Sequence, residues 1–260
     1  MRILGIESSS LVASVAIVTD DVVTAEYTLN LKKTHSQTLL PMIDQMMKIL
    51  EIELDTVDAI AVSGGPGSFT GLRIGSATAK GLGMALKKPL IHVPTVDAMG
   101  YSLYGVPHLI CPIMDARRSQ VYTGLYRFTE ALPMSDFHGF QVVKEQWMAD
   151  MHELIRELND RGEKVIFLGD GVPVCRHIIE EEMKVPFEFA PPHVSRQRAA
   201  AVAALGAVYL AEGKTETAAA HCPDYLRKSQ AEREQEVAER QGEMDKLAAG
   251  IVVKEHGEEH

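Results

Sequence analysis

Ser63-Gly64-Gly65-Pro66-Gly67-Ser68-Phe69-Thr70-Gly71-Leu72-Arg73-Ile74-Gly75 is the segment that decides how this chain is read. It follows an apolar run, Asp58 to Val62, with the character of a buried strand, and it leads into small residues at helical spacing. Glycines at 64, 65, 67 and 71 admit backbone angles closed to other residues, and Pro66 fixes one torsion among them. The turn therefore has a specified shape. Ser68 or Thr70 can cap the helix that follows, whose first amides can hold an anion or a partner's carbonyl. The segment lacks the Gly-Lys-Ser/Thr ending of a P-loop and the Gly-x-Gly-x-x-Gly spacing of a dinucleotide site. A tight strand-to-helix connection without a ligand is the other reading, and the segment alone leaves both open.

Upstream, Arg2 to Ile6, Val12 to Val18 and Val22 to Leu29 are apolar, β-branched runs separated by Ser-rich and Asp-Asp turns, which predicts three antiparallel strands. A helix over Gln37 to Leu50 follows, with Thr34 or Ser36 as cap and Pro41 in its first turn. Leu39, Leu40, Met42, Ile43, Met46, Met47, Ile49 and Leu50 cover about half its circumference, wider than the roughly 100° that seats a helix on one sheet. Two readings stay open: a broad core helix, or one that offers Met-rich surface to a partner along one edge. Downstream, Leu72 to Leu86 carries Gly75, Ser76, Ala77, Ala79, Gly81, Gly83 and Ala85, which lets backbones approach closely. A strand over Leu90 to Val93 and a helix over Thr95 to Tyr104 complete the first half.

The second half repeats that order. Strands are predicted at His108 to Met114, Val121 to Phe128, Phe140 to Lys144, Lys164 to Leu168 and Pro186 to Phe189. Helices are predicted at Trp147 to Leu158, Val174 to Met183, and Arg196 to Ala211 between a Ser195 cap and Gly213. Two βββαβαβα modules predict a duplicated α/β, actin-like (ASKHA) fold with a cleft between lobes at 1–105 and 106–228. Residues 229–260 hold nine Asp or Glu against four Lys or Arg and almost no apolar stripe, which predicts a solvated helix or a disordered acidic tail.

The 260 residues are 46% apolar and 24% charged, as for a globular chain, and the net charge of -10 argues against gripping nucleic acid through its own surface. Cys111, Cys175 and Cys222 have no metal or redox spacing, as expected in a reducing cytosol. The opening residues lack a signal-peptide pattern and no apolar run nears the ~18 residues of a membrane span, so a soluble, cytoplasmic protein with no membrane association is expected.

The glycine turn, together with Ile3-Leu4-Gly5-Ile6-Glu7-Ser8-Ser9, His35-Ser36, Leu39-Leu40-Pro41, Asp115-Ala116-Arg117-Arg118 and Pro223 to Arg227, resembles the bacterial TsaB (YeaZ) family in order and spacing. The resemblance spans residues 1 to about 228. It implies an accessory subunit of tRNA threonylcarbamoyladenosine synthesis that pairs with the catalytic paralogue TsaD and is helped by the ATPase TsaE. TsaD transfers the threonylcarbamoyl group to the adenosine beside the anticodon of tRNAs reading ANN codons. In that paralogue, a stretch similar to Gly81 to Ile91 leads into Val-His-His-Leu-Glu-Gly-His, whose outer histidines bind a metal. Here Thr95 and Met99 stand at those positions and cannot replace two imidazoles. No cofactor of its own is therefore expected, with ATP and a divalent metal on partner subunits, and tRNA held mainly through the complex.

Nucleotide sites in this fold class use an acidic residue with small neighbours in the first hairpin, which Glu7, Ser8 and Ser9 fit loosely. Gly64, Gly65, Gly67, Ser68 and Thr70 are the other candidate nucleotide-proximal residues. Asp115 is followed by Ala116, Arg117 and Arg118, which denies a phosphate close backbone approach, and Gly169-Asp170-Gly171 could border an adenine pocket or merely end a strand. His35, beside a helix cap, reads as an interface or capping residue rather than a base. A peptidase lacks His-Glu-x-x-His and Gly-x-Ser-x-Gly motifs here. The expected partner interface is His35, Leu39, Met42, Ile43, Met46, Met47 and Leu50 on the first helix, with Leu72, Arg73, Ser76, Ala77 and Lys80 on the second. A stand-alone ATPase or kinase and a peptidase are the alternatives, and the chain alone is expected to pair with a second copy.

Overall fold

The three opening runs form the antiparallel strands β1 (Arg2–Glu7), β2 (Val12–Thr19) and β3 (Val22–Asn30). In the computed structural model, which describes residues 1–129 and 139–226, a short 3-10 turn (His35–Gln37) leads into α1 (Leu39–Leu50). Then come β4 (Ala59–Gly65), α2 (Phe69–Leu86), β5 (Leu90–Pro94) and α3 (Thr95–Tyr101). Their sheet runs β3-β2-β1-β4-β5, with β4 parallel to β1 and β5 parallel to β4. The second half supplies β6 (Leu109–Arg117), β7 (Gln120–Phe128), β8 (Phe140–Asp150), α4 (Met151–Arg161), β9 (Val165–Leu168), α5 (Val172–Glu182), β10 (Phe187–Phe189) and α6 (Ala199–Ala211). Its sheet runs β10-β9-β6-β7-β8, which is the order of the first sheet when each strand is replaced by its counterpart. The fold is a duplicated α/β, actin-like one.

Period-two alternation assigns the faces of the first sheet. Leu4, Ile6, Val15, Ile17, Ile60 and Val62 pack under α1 and α2, whereas Ile3, Ala59, Ala61, Ile91 and Val93 face α3 and α6. In the second sheet, Cys111, Ile113 and Phe167 meet α4 and α5, and Ile110, Met114, Tyr122 and Leu168 meet α3. Helix α3 lies between the two sheets and is buried at all seven positions. Its carboxylate, Asp97, accepts from Tyr126 Oη of β7 at 2.7 Å and Tyr209 Oη of α6 at 3.3 Å, which ties the halves together. Residues Met1–Asp224 form one compact unit.

Several expectations change. Strand β8 continues to Asp150 because Trp147, Met148 and Ala149 stay paired with β7, and Asp150 caps α4 by accepting from the amides of His152 and Glu153. Helix α1 has Thr38 at its N-cap with no side-chain cap bond, so neither Thr34 nor Ser36 caps it. Helix α6 begins at Ala199 after Arg198, not at Ser195, and it packs on β1, β2, β4 and β5 of the first sheet rather than on the second. A Cβ on Gly5 would overlap the Ala199 carbonyl, so the bare backbone of β1 is what admits this Ala-rich helix so closely. The acidic segment 229–260, and Arg227 of the closing motif, lie outside the described residues.

Candidate functional site

The turn between β4 and α2 is packed against the turn between β1 and β2. Ser68 N donates to Ser9 O at 2.6 Å, Ser8 Oγ donates to Gly71 O at 2.9 Å, and Ser8 N reaches Ser63 Oγ at 3.3 Å. A Cβ at Gly67 would overlap the Ser9 carbonyl and one at Gly71 the Ser8 carbonyl. These glycines thus admit the chain's own backbone. Gly64 and Gly65 likewise lie against His92 and against the Asp224 carbonyl. Ser68 is the N-cap of α2, its hydroxyl accepting from Gly71 N at 3.3 Å, while Thr70 is exposed and makes no cap.

Glu7, Ser8 and Ser9 are buried, and the amide and hydroxyl of Ser9 donate to Glu7 Oε1 at 2.6 and 2.5 Å. Burial pushes the Glu7 carboxyl up to about 7, against the pull of the Ser9 hydrogen bonds, and the charge of Asp170 across the cleft adds to the rise. Asp170, on the Gly-Asp-Gly turn after β9, is also raised by burial while it accepts from Gln197 Nε2 at 3.1 Å. Arg196 Nη1 donates to the Gly169 carbonyl at 2.6 Å and offsets part of the acidity. Gln197 and Arg196 precede α6, and no motif in the sequence marks them. Asp115 turns onto its own hairpin, accepting from Arg117 N at 2.8 Å, and Arg117, Arg118 and Ser119 all adopt left-handed angles (φ 69°, 58° and 59°). Glu7 and Asp170 thus set two buried carboxyl groups within electrostatic reach of each other, one from each half of the chain.

The predicted interface splits into two sets. Leu39, Met42, Ile43, Met46 and Met47 belong to the core of the first sheet, with Met46 fully buried, and Leu72 is buried at 1% exposure, so all six are corrected from contact residues to core residues. Each such buried side chain stabilises the lobe by about 1.5–3 kcal/mol. Leu50 packs half-buried on the same core. Ser76 is buried as well, and His35 is 8% exposed with Nε2 2.8 Å from the Ser10 carbonyl, so it fastens the β1–β2 turn instead of facing outward. Lys80 is half-buried and donates to the carbonyls of Ala219 and His221. Arg73 and Ala77 remain on the surface. Leu40 and Ile49 of α1 and Gly81 and Met84 of α2 are also exposed and stand outside the expected set, because an apolar or small-residue pattern alone does not sort surface positions from core ones.

A protein of Bacillus subtilis (strain 168) named tRNA threonylcarbamoyladenosine biosynthesis protein TsaB is 34% identical to this chain over 236 residues, covering 89% of this chain and 96% of that protein. The chain belongs to the TsaB family. The TsaB of Escherichia coli (strain K12) is 35% identical over 133 residues, 50% of this chain and 57% of its own length. The family model described as "TsaD: tRNA N6-adenosine threonylcarbamoyltransferase" matches residues 23–235. Among solved structures, YeaZ from Pseudomonas aeruginosa superposes with a TM-score of 0.69 at 23% identity, covering 86% of this chain and 99% of that one, which shows the shared fold.

Within this TsaB-family chain, Thr95 and Met99 of α3 are buried, and Met99 packs in the core with Leu168 and Tyr126. A thioether in an apolar core and a hydroxyl do not suit a divalent ion, so the residues present do not fit the paralogue's metal at this position. Among the described residues no helix is long and apolar enough to cross a membrane.

Proposed function

We propose that this chain is the non-catalytic partner of a TsaD-type threonylcarbamoyltransferase in tRNA threonylcarbamoyladenosine biosynthesis, binding that enzyme and holding it in its active arrangement. The enzyme modifies the adenosine next to the anticodon of tRNAs reading ANN codons. The observation that carries the reading is the filling of the glycine turn by Ser8 and Ser9, where a nucleotide-using relative of this fold needs room for phosphates. The adjoining carboxyl groups of Glu7 and Asp170 further disfavour a polyphosphate. Cys111 and Cys175 are buried thiols pushed up to about 12 and about 11, so neither supplies the thiolate a cysteine peptidase needs.

Contact with the enzyme is made by the outer strip of α1 and α2. Leu40 on α1 and Met84 on α2 are 51% and 64% exposed, and the exposed Ala77 and Gly81 leave the α2 backbone open to close approach by another helix. Without the enzyme, the same strip pairs with a second copy. A TsaE-type ATPase joins through the enzyme, which also holds most of the tRNA, ATP and divalent metal, in keeping with the charge of -10 on this chain. The process takes place in the cytoplasm. Binding shifts the enzyme between states only by the difference in affinity for them.

The test is Ala77→Asp, which sets a carboxylate in the strip without touching the core. Co-elution of the variant with the TsaD-type enzyme on a sizing column should be lost while its circular dichroism and melting temperature stay near the parent's. A variant that still co-elutes and supports tRNA modification refutes the interface. Nucleotide hydrolysis by the purified parent chain alone, above a Glu7→Gln control, instead favours a stand-alone ATPase.

A further inference from the structure

After α6 the chain doubles back along the edge of the first sheet. Leu90 of β5 and Glu216 form an isolated antiparallel bridge whose two backbone hydrogen bonds are both 2.9 Å. Lys80 then holds the carbonyls of Ala219 and His221, and Asp224 N donates to the Gly64 carbonyl at 2.7 Å. These fastenings bring His221 against His92 of β5, with ring centroids 5.7 Å apart.

One donor atom from each of His92, Glu216 and His221 lies within 4.8 Å of the other two. His221 Nδ1 is 2.6 Å from Glu216 Oε1, and His92 Nε2 is 3.1 Å from Asp224 Oδ2. His221 is 2% exposed, yet its Nε2 has no hydrogen-bond partner. Buried imidazole nitrogens are ordinarily satisfied, so two separate His-carboxylate pairs leave this atom unexplained. Gly64 belongs to the same arrangement, because a Cβ there would overlap the His92 ring.

We propose that His92, Glu216 and His221 form a binding site for a borderline divalent cation of the zinc type, with Asp224 as the carboxylate that orients His92. Two imidazoles and a carboxylate are the donor set such ions favour, and a carboxylate behind a ligating histidine is its usual outer support. Tetrahedral ligands at about 2.0–2.2 Å from the ion lie about 3.3–3.6 Å apart, so donors within 4.8 Å of one another must draw together, and the Glu216 carboxylate must turn from Nδ1 of His221 for the ion to take the partnerless Nε2. Three protein ligands leave a fourth position for water or an incoming group. Because Glu216 and His221 sit on the returning segment and His92 on β5, the ion clamps residues 215–224 to the sheet edge. Met84 of the outer strip and Glu216 line one pocket, yet the three ligands do not depend on the proposed partner, so the site stands or falls independently of it.

The experiment is a Co²⁺ titration of the chelator-treated full chain, followed by its visible ligand-field absorption and by Zn²⁺ competition, for the parent, His92→Ala and Glu216→Gln. Both positions are partly exposed, so at least one variant should retain the parent's circular dichroism. The parent should develop bands of a four-coordinate, nitrogen-containing site that Zn²⁺ abolishes. Each folded variant should bind Co²⁺ at least about 100-fold more weakly, the upper end of what losing even an outer carboxylate costs. Parent-like Co²⁺ affinity and bands in either folded variant, which would place the ion on other histidines of the chain, overturn the proposal. Absence of these bands in the parent does the same.

Discussion

Glu7→Gln should change how the stability of this protein depends on pH. Glu7 ends β1 at 1% exposure and accepts two hydrogen bonds from Ser9. Burial raises its carboxyl from an ordinary 4.5 to about 7, so between those values the folded chain keeps a proton that the unfolded chain has released. The folded state then binds more protons than the unfolded one, and stability falls as pH rises through that window. Below pH 4.5 the loss is absent, and above pH 7 it is complete. The gap of about 2.5 units, at about 1.4 kcal/mol per unit, amounts to about 3 kcal/mol. Glutamine keeps an oxygen for Ser9 and carries no charge, so it removes this loss while its unmatched amide costs the same at every pH. Urea unfolding of parent and variant at pH 4.5 and pH 8 measures the effect, since titrating groups that do not interact with Glu7 cancel in the difference. The variant should gain about 3 kcal/mol on the parent between the two pH values. A difference that does not change with pH would show that Glu7 is solvated or paired as a carboxylate, and the burial assigned to it would be wrong.

Two further stability predictions rest on the backbone. Gly71→Ala should destabilise by about 1–3 kcal/mol or more in thermal melts, because the new methyl meets the Ser8 carbonyl, whereas Gly81→Ala on the same helix meets nothing within 4 Å and should stabilise by about 0.5–1 kcal/mol. Equal effects at the two positions would contradict the packing of the glycine turn. Changing Arg118 to Asn and Ser119 to Gly together should raise stability by about 1 kcal/mol, since both residues sit at left-handed angles in the β6–β7 hairpin that Asn-Gly adopts with least strain. A lower melting temperature in that double variant would mean that the two native side chains hold the hairpin by contacts outweighing its strain.

Much of the architecture was legible in the chain because period-two and helical apolar patterns are local. The strands of the first half, the helix after the glycine turn, the Ser68 cap and the repeated order of elements all follow from neighbours a few residues apart. Boundaries such as the far end of β8 escaped, because Trp147 and Met148 suit a strand or a helix equally and only pairing with β7 chooses between them.

What the sequence by itself determined is the family, the duplicated α/β plan, and the loss of the paralogue's imidazoles at Thr95 and Met99, for these depend only on residue identity and order. Tertiary structure decided which side of α1 and α2 faces outward. A helical arc states how much apolar surface exists, but only the sheet beneath it settles that Met46 is core and Leu40 is surface. It decided as well that α6 returns to the first sheet and that His92, Glu216 and His221 meet, because such contacts arise from where the chain folds back, and no local pattern records that path.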